Sequence, residues 1–238
     1  MLQVTALVKK YGKQNAVNNI TFSLEGGEVV GLLGPNGAGK STTMKCIVGL
    51  LRKTAGEITI GGHDHLSVEA KKLFSYIPET PHVYDLLTTW EHLQFIAQAY
   101  NVPNWKEKAE HWMEVYELTD KKDKLGRDLS KGMRQKVSIC CALLPEPQVL
   151  FFDEPMIGLD PKAIKNTKRI FKELKEAGKT ILVSTHLIDS VETIADRIMI
   201  MKDGNIIGND TLANLKATFS QTEDSSLEDL FLELTKDE

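Results

Sequence analysis

The sequence predicts an α/β protein with an N-terminal antiparallel β subdomain, a parallel-sheet core and an inserted α-helical subdomain. Three observations lead to this fold class. Polar and apolar residues alternate through the first 30 positions between glycine turns. Short apolar runs then alternate with helical segments, which is typical of a parallel sheet. Residues 80–128 have helical periodicity and no strand pattern, so we expect them to form an insertion.

The first part of the chain predicts two antiparallel strands, a buried strand and a helix. Residues 28–34 form a short apolar run, which is typical of a strand that is buried on both faces. A helix is expected from Lys40, and another short strand is expected between Gly56 and Gly61. The alternating apolar positions before them are Val4, Ala6, Val8, Ile20, Phe22 and Leu24.

The second part predicts the insertion and the rest of the core. A helix is expected between Ser130 and Leu144. Strands are expected at 148–152, 180–184 and 197–202, with a further helix between the first two of them. Leu227, Leu230, Phe231 and Leu234 predict an amphipathic helix at the C-terminus. We therefore predict a single domain, 1–238, made of a core (1–79 and 146–215), a helical subdomain (80–145) and a terminal helix (216–238).

Composition excludes several classes of protein. The 238 residues include 29 Lys and Arg against 33 Asp and Glu, a net charge of −4, which argues against broad nucleic-acid binding. No uncharged apolar run approaches the roughly 20 residues of a membrane helix, and the N-terminus does not resemble a secretory signal. Cys46, Cys140 and Cys141 predict buried free thiols in a reducing compartment. We therefore expect a cytoplasmic protein.

One segment has the pattern of a phosphate-binding loop. Residues 34–41, Gly-Pro-Asn-Gly-Ala-Gly-Lys-Ser, fit the P-loop consensus between a buried strand and a helix. Glycines allow successive N–H groups to face phosphate oxygens, and the helix N-terminus favours negative charge. Lys40 is predicted to neutralise the outer phosphates and Ser41 to ligate Mg²⁺. The predicted ATP contacts in this loop are Gly34, Pro35, Asn36, Gly37, Ala38, Gly39, Lys40, Ser41 and Thr42.

A second segment supplies paired carboxylates. The apolar run 149–152 is followed by Asp153 and Glu154, at the end of a strand where α/β sheets bind ligands. Asp153 is predicted to hold the Mg²⁺ shell. Glu154 is predicted to accept a proton from an attacking water.

Further motifs carry a family resemblance over essentially the whole chain. Residues 129–135, Leu-Ser-Lys-Gly-Met-Arg-Gln, resemble the signature sequence of ABC ATPases, and residues 155–160 resemble the D-loop of that family. The resemblance implies that His186 contacts the γ-phosphate, that Tyr11 stacks on adenine and that Asp160 lies at a dimer seam. It further implies that Ser130, Lys131 and Gly132 contact ATP held by a second subunit. From the residues alone, Ser130 is also a natural helix N-cap.

The sequence departs from the family pattern in three places. Lys131 and Met133 replace a glycine and a glutamine of the signature, and Ile157 replaces the usual serine of the D-loop. Glu79 stands where the family has the Q-loop glutamine. A carboxylate can also ligate Mg²⁺, so Glu79 is retained as a predicted metal ligand beside Ser41 and Asp153.

The resemblance implies the nucleotide-binding subunit of an ABC transporter, most similar to bacterial exporters of drugs, peptides or bacteriocins. The implied partners are a membrane-spanning permease and a second copy or paralogue of the ATPase, at the cytoplasmic face of the membrane. Residues 80–98 are the implied permease contact, with Tyr84 favoured as an interface residue and Trp90 as a core residue. The alternatives are a soluble ABC ATPase and a nucleotide sensor without turnover. His63 and His65 leave open a metal site.

Overall fold

The computed structural model of the protein describes residues 1–186, 188–219 and 227–235. The strands are β1 (Leu2–Tyr11), β2 (Gln14–Leu24), β3 (Val29–Leu33), β4 (Ala55–Ile60), β5 (His63–Asp64), β6 (Phe74–Ile77), β7 (Val149–Asp153), β8 (Thr180–Ser184), β9 (Arg197–Lys202) and β10 (Asn205–Asp210). The helices are α1 (Lys40–Ile47), α2 (Val68–Lys71), α3 (Thr89–Tyr100), α4 (Trp105–Val115), α5 (Lys131–Leu143), α6 (Pro161–Glu176), α7 (Ile188–Glu192), α8 (Leu212–Phe219) and α9 (Leu227–Thr235).

Two sheets form the β structure of the described chain. The smaller sheet has the order β2-β1-β4-β5, and all of its pairs are antiparallel. The larger sheet has the order β10-β9-β3-β8-β7-β6, in which only the β10–β9 pair is antiparallel. The strands β3, β7 and β8 are buried along their whole length, as their continuous apolar sequences require. The predicted fold class is confirmed.

The helices α3, α4 and α5 make up the inserted block between β6 and β7. Thr88 begins α3 with a capping box, in which Thr88 and Glu91 each bond the backbone N–H of the other. The block is tied to α6 by the Tyr116 hydroxyl, which lies 3.2 Å from Thr167 Oγ1, and by Asn166, which donates to the Val115 carbonyl. The helical subdomain is therefore fixed to the core by polar contacts as well as by packing.

Three parts of the sequence analysis need correction or completion. The strands β5, β6 and β10 and the short helices α2 and α7 lacked a clear sequence pattern and were not predicted. The predicted terminal helix, 216–238, corresponds to the end of α8 and to α9, whereas 220–226 and 236–238 lie outside the described residues. Cys46 and Cys140 are buried free thiols, but Cys141 is only half-buried.

Candidate ATP-binding and hydrolysis site

The predicted P-loop connects the C-terminal end of β3 to the first turn of α1. Gly39 adopts φ 104°, a left-handed conformation that glycine tolerates best, and a Cβ atom there would lie 2.4 Å from the Ala16 carbonyl oxygen. A Cβ atom at Gly34 would lie only 2.5 Å from the Met201 carbonyl oxygen. These glycines are required because β2 and the end of β9 press directly on the loop.

Lys40 is buried, and its ammonium group turns back into the loop. Its Nζ donates to the carbonyl oxygens of Gly34, at 2.7 Å, and Pro35, at 3.2 Å. Burial lowers the pKa of Lys40, whereas the nearby carboxylates of Glu154, Asp153 and Glu79 act in the opposite direction. The loop therefore holds one cation at its centre, within the field of three carboxylates.

Asp153, at the end of β7, is the hub of a buried hydroxyl network. Its Oδ1 accepts hydrogen bonds from Ser41 Oγ at 2.9 Å and Ser184 Oγ at 2.6 Å. Its Oδ2 accepts one from the Tyr76 hydroxyl at 3.1 Å. Burial raises the pKa of Tyr76 well above its usual value, and Asp153 adds to the shift, so this hydroxyl remains a donor. Within the described chain, no Lys, Arg or His forms an ion pair with this carboxylate.

Glu154 and His186 meet at the ends of β7 and β8. His186 Nδ1 lies 3.0 Å from Glu154 Oε1, and the His186 N–H points to Oε2 at 3.4 Å. Because a carboxylate only accepts, Nδ1 carries the hydrogen of this contact. Glu154 is buried and has φ 50°, which is uncommon for a residue other than glycine. Such local strain concentrates at functional sites, where the surrounding structure holds it in place.

The signature segment forms the start of α5. Ser130 is the N-cap, and its hydroxyl accepts from the Met133 N–H at 3.3 Å. Lys131 is exposed. A Cβ at Gly132 would lie 2.5 Å from the Gly158 carbonyl oxygen, so the signature and the D-loop touch through their backbones in this chain.

Two side chains on α5 strengthen that contact between the signature helix and the D-loop. Lys136 Nζ lies 2.7 Å from Asp160 Oδ2, and Gln135 donates to the Pro155 carbonyl at 3.2 Å. Asp160 also caps α6 by accepting from the Ala163 N–H at 2.8 Å. The structure therefore connects the start of α5 to the segment that follows Glu154.

The remaining predicted site residues lie at the edge of this region. Tyr11 ends β1 with its ring half-exposed, and the Lys9 ammonium lies 4.8 Å from the ring centroid. Glu79 is exposed just beyond β6. His65 is buried with Nδ1 2.9 Å from the Ile47 carbonyl oxygen, while His63 is exposed. Among the described residues, there is no cluster of three or more His, Cys, Asp or Glu side chains that could hold a metal ion.

Four residues with evident roles in this region were not singled out from the sequence. They are Tyr76, Gln135, Lys136 and Ser184. Ser184 could have been found, because it ends a buried strand two positions before His186. The others depend on register and helix packing, for which the sequence carries no local signal.

The fold and site together define a P-loop ATPase: a phosphate-binding loop, a buried carboxylate beside the loop hydroxyl, and a glutamate–histidine pair at adjacent strand ends. Residues 17–157 match the family described as ABC transporter. This chain belongs to that family, as the ATP-binding subunit, and is an ATPase.

Relatives from Bacillus subtilis (strain 168) are similar over most of their length. The ABC-type transporter ATP-binding protein EcsA is 36% identical over 242 residues, which cover 100% of this chain and 98% of EcsA. The SkfA peptide export ATP-binding protein SkfE is 34% identical over 87% of each chain.

Solved structures agree with this family membership. The ATP-binding subunit of an ABC transporter has a TM-score of 0.94 and 38% identity, covering 99% of this chain and 100% of that one. The ATP-binding cassette MJ0796, solved as a dimer in a post-hydrolysis state bound to ADP and Pi, has a TM-score of 0.78 and 27% identity, covering 89% of this chain and 99% of that chain. None of the helices that the structure describes combines the length and the apolar character of a membrane span.

Proposed function

We propose that two copies of this chain, or one copy and a paralogue, close head to tail around two ATP·Mg²⁺ and thereby drive a membrane-spanning permease, for export. The observation that carries this proposal is the convergence of Ser41, Asp153, Glu154 and His186 at the ends of three parallel strands. Binding at that edge of the sheet is the rule for α/β proteins.

The chemistry that these residues support is the attack of water on the γ-phosphorus of ATP. Glu154 takes the proton of the water as its oxygen bonds to phosphorus, and the bond to the β–γ bridging oxygen breaks to release ADP. His186, held by Glu154, contacts the γ-phosphate, and Lys40 balances charge on the outer phosphates. The P-loop backbone, 34–42, cradles the phosphates, and Tyr11 stacks on adenine.

The oxygen donors fit Mg²⁺, which prefers carboxylate, hydroxyl and phosphate oxygens. The Asp153 carboxylate is 1% exposed and forms no ion pair among the described residues, so its charge is available to a metal. The Ser41 hydroxyl already lies 2.9 Å from it. We assign Ser41 and Asp153 to the Mg²⁺ shell, with Glu79 as a further carboxylate. When bound, Mg²⁺ supplies charge neutralisation at the β- and γ-phosphates.

Hydrolysis is tested with Glu154→Gln, measured as phosphate release at saturating Mg·ATP. Loss of the general base should reduce turnover by on the order of 10²- to 10⁴-fold. The matched control is Glu176→Gln, which changes an exposed glutamate at the end of α6 and should leave turnover unchanged. Full activity in Glu154→Gln would remove Glu154 from the mechanism.

Two features support the pairing of two chains around ATP. Ser130 caps the N-terminus of α5, a favourable place for a phosphate, and Gly132 follows in the first turn of that helix. Ser130 and Lys131 are both exposed on this chain, so a second subunit can present ATP to them. Light scattering of Glu154→Gln should give twice the 26.6 kDa chain mass with ATP·Mg²⁺ but not with ADP. A monomer in both conditions would contradict the pairing.

An exposed apolar patch supports contact with a permease. Tyr84, Leu86, Phe95 and Tyr100 are between 40% and 73% exposed, and Tyr84 and Phe95 contact each other edge to face. Exposed aromatic patches mark protein interfaces. Trp90, by contrast, packs against Trp105 and under Lys122 at the helical core. The patch supports a peripheral location at the cytoplasmic face, and export is supported by the peptide-export role in the name of SkfE.

The permease contact is tested by affinity capture from detergent-solubilised native membranes. A multi-spanning protein should be recovered with the wild-type chain and lost with Tyr84→Asp. Leu50→Asp is the matched control, because Leu50 is 64% exposed against 59% for Tyr84 and lies three residues beyond the end of α1, outside the patch. Equal recovery with both variants would refute the assignment of this patch. Recovery of soluble partners alone would refute the transporter function.

A further inference from the structure

Tyr76 makes the only hydrogen bond that the described chain offers to one oxygen of the Asp153 carboxylate. Ser41 and Ser184 both donate to Oδ1, whereas the Tyr76 hydroxyl alone donates to Oδ2, at 3.1 Å. The two serine hydroxyls therefore restrain one carboxylate oxygen, and the Tyr76 hydroxyl restrains the other. Because the terminal torsion of aspartate is broad, a bond to this second oxygen further restricts the orientation of the carboxylate.

The sheet register explains why this position needs a tyrosine. In the parallel β6–β7 pair, Tyr76 is opposite Phe151, two residues before Asp153. Side chains two residues apart share a face, so Tyr76 and Asp153 lie on the same side of the sheet. The displacement along the strand is about 6.6 Å, in addition to a strand spacing of about 4.8 Å. A long rigid side chain with a terminal hydroxyl spans this distance, whereas serine or threonine would fall short.

We propose that Tyr76 is a positioning residue for Mg²⁺ binding: it holds the Asp153 carboxylate in the orientation that the metal and the Ser41 hydroxyl require. The proposal rests on the function proposed above, in which Asp153 belongs to the metal shell. In this role Tyr76 acts through Asp153 and is not itself a metal ligand. Partners that orient a metal-binding carboxylate in this way commonly change metal affinity by 10- to 100-fold when they are removed.

The test compares Tyr76→Phe with Tyr116→Phe. Both changes remove one hydroxyl and keep the ring, but the Tyr116 hydroxyl contacts Thr167 of α6 rather than Asp153. The measurement is the Mg²⁺ concentration that gives half of the thermal stabilisation by saturating ATP. A second readout measures metal binding directly with Mn²⁺. Electron paramagnetic resonance follows the free Mn²⁺ while ATP-bound protein is titrated.

In Tyr76→Phe we expect the Mg²⁺ midpoint to rise about 10-fold. Binding of ATP in EDTA should be unchanged, since the P-loop is intact. Tyr116→Phe should lose thermal stability without a change in the midpoint. Tyr76→Leu provides a second hydroxyl-free variant should Tyr76→Phe not fold.

An unchanged Mg²⁺ midpoint in a folded hydroxyl-free variant would overturn the positioning role of Tyr76. An equal loss of ATP affinity with and without Mg²⁺ would also overturn it, because the role would then be structural. Failure of the proposed metal site gives a different result: the wild-type chain itself would bind ATP with no dependence on Mg²⁺.

Discussion

Asp160 stabilises the chain through two contacts, a cap on α6 and an ion pair with the signature helix α5, and mutation can separate their contributions to stability. One carboxylate oxygen caps α6 at Ala163, and the other pairs with Lys136 of the signature helix. Asp160→Asn retains an oxygen for the cap and removes the charge. Asp160→Ala removes both. Lys136 is 9% exposed, so either change leaves a nearly buried ammonium group without its partner.

The magnitudes follow from these contacts. Loss of an aspartate N-cap costs about 1 kcal/mol. The Asp160 side chain is 49% exposed, so solvent screens the ion pair. We expect that losing the pair, and leaving Lys136 without its partner, lowers the free energy of unfolding by about 1 kcal/mol. We therefore expect the free energy of unfolding to fall by about 1 kcal/mol in Asp160→Asn and about 2 kcal/mol in Asp160→Ala. At about 2–4 °C per kcal/mol, Tm falls by roughly 2–4 °C and 4–8 °C.

The assay is urea unfolding of the nucleotide-free chain at neutral pH, repeated in a Lys136→Met background. Methionine replaces the buried ammonium with an apolar group, so Asp160→Asn should then cost close to nothing. Equal losses in the two aspartate variants would refute the separate cap. A cost of Asp160→Asn that persists with Lys136→Met would refute the ion pair.

Acid should remove the same contribution. The hydrogen bond from Lys136, and then the Ala163 N–H, hold the pKa of Asp160 below its usual range. A group whose pKa is lower in the folded chain stabilises it above the unfolded pKa, about 3.9 for aspartate, and loses this effect as pH falls through the folded value. The stability difference between wild type and Asp160→Asn should therefore shrink on acidification below about pH 4, and a constant difference would contradict the lowered pKa.

Three other substitutions test the backbone contacts and the edge of the core. Gly132→Ala places a methyl group against the Gly158 carbonyl. The overpacking cost of about 1–3 kcal/mol should exceed the helix-propensity gain of about 1 kcal/mol, so calorimetry should show a lower Tm. A higher Tm would refute the close contact. In Gly39→Ala the new methyl group would clash with the Ala16 carbonyl, and alanine is strained at a φ of 104°. The affinity for ATP, measured by fluorescence titration, should therefore fall at least 10-fold. A wild-type affinity would show that the loop adjusts to the methyl group. Arg197→Lys loses the forked contacts to Ser23, Glu28 and Asn209, and urea unfolding should show a loss of about 1–2 kcal/mol, whereas an unchanged midpoint would show that one ammonium suffices.

Much of this protein could be predicted from local sequence patterns. The strands that became β3, β7 and β8 were recognisable because each is a short apolar run, and strands buried on both faces require such runs. The P-loop was recognisable because the backbone conformation restricts its residue types. Ser130 was identified as a helix cap because capping depends on neighbours three residues away.

Weaker local signals explain the elements that were missed. The strand β6 has four residues between α2 and the insertion, too few for alternation to stand out. The hairpin strand β10 depends on pairing with β9, through a bulge between Ile206 and Gly208 that breaks its alternation. In both cases the neighbouring strand specifies the conformation more strongly than the segment itself.

By itself, the sequence determined the fold class, the phosphate-binding loop and the carboxylates at the strand end, since each is encoded within a few consecutive residues. Only the tertiary structure decided that Tyr76 reaches Asp153, that Lys136 pairs with Asp160 and that Gly132 touches the Gly158 carbonyl. These contacts join residues that are 24 to 77 positions apart. They depend on strand register and on the packing of α5 against the core, which arise from the summed burial of many side chains rather than from any local pattern.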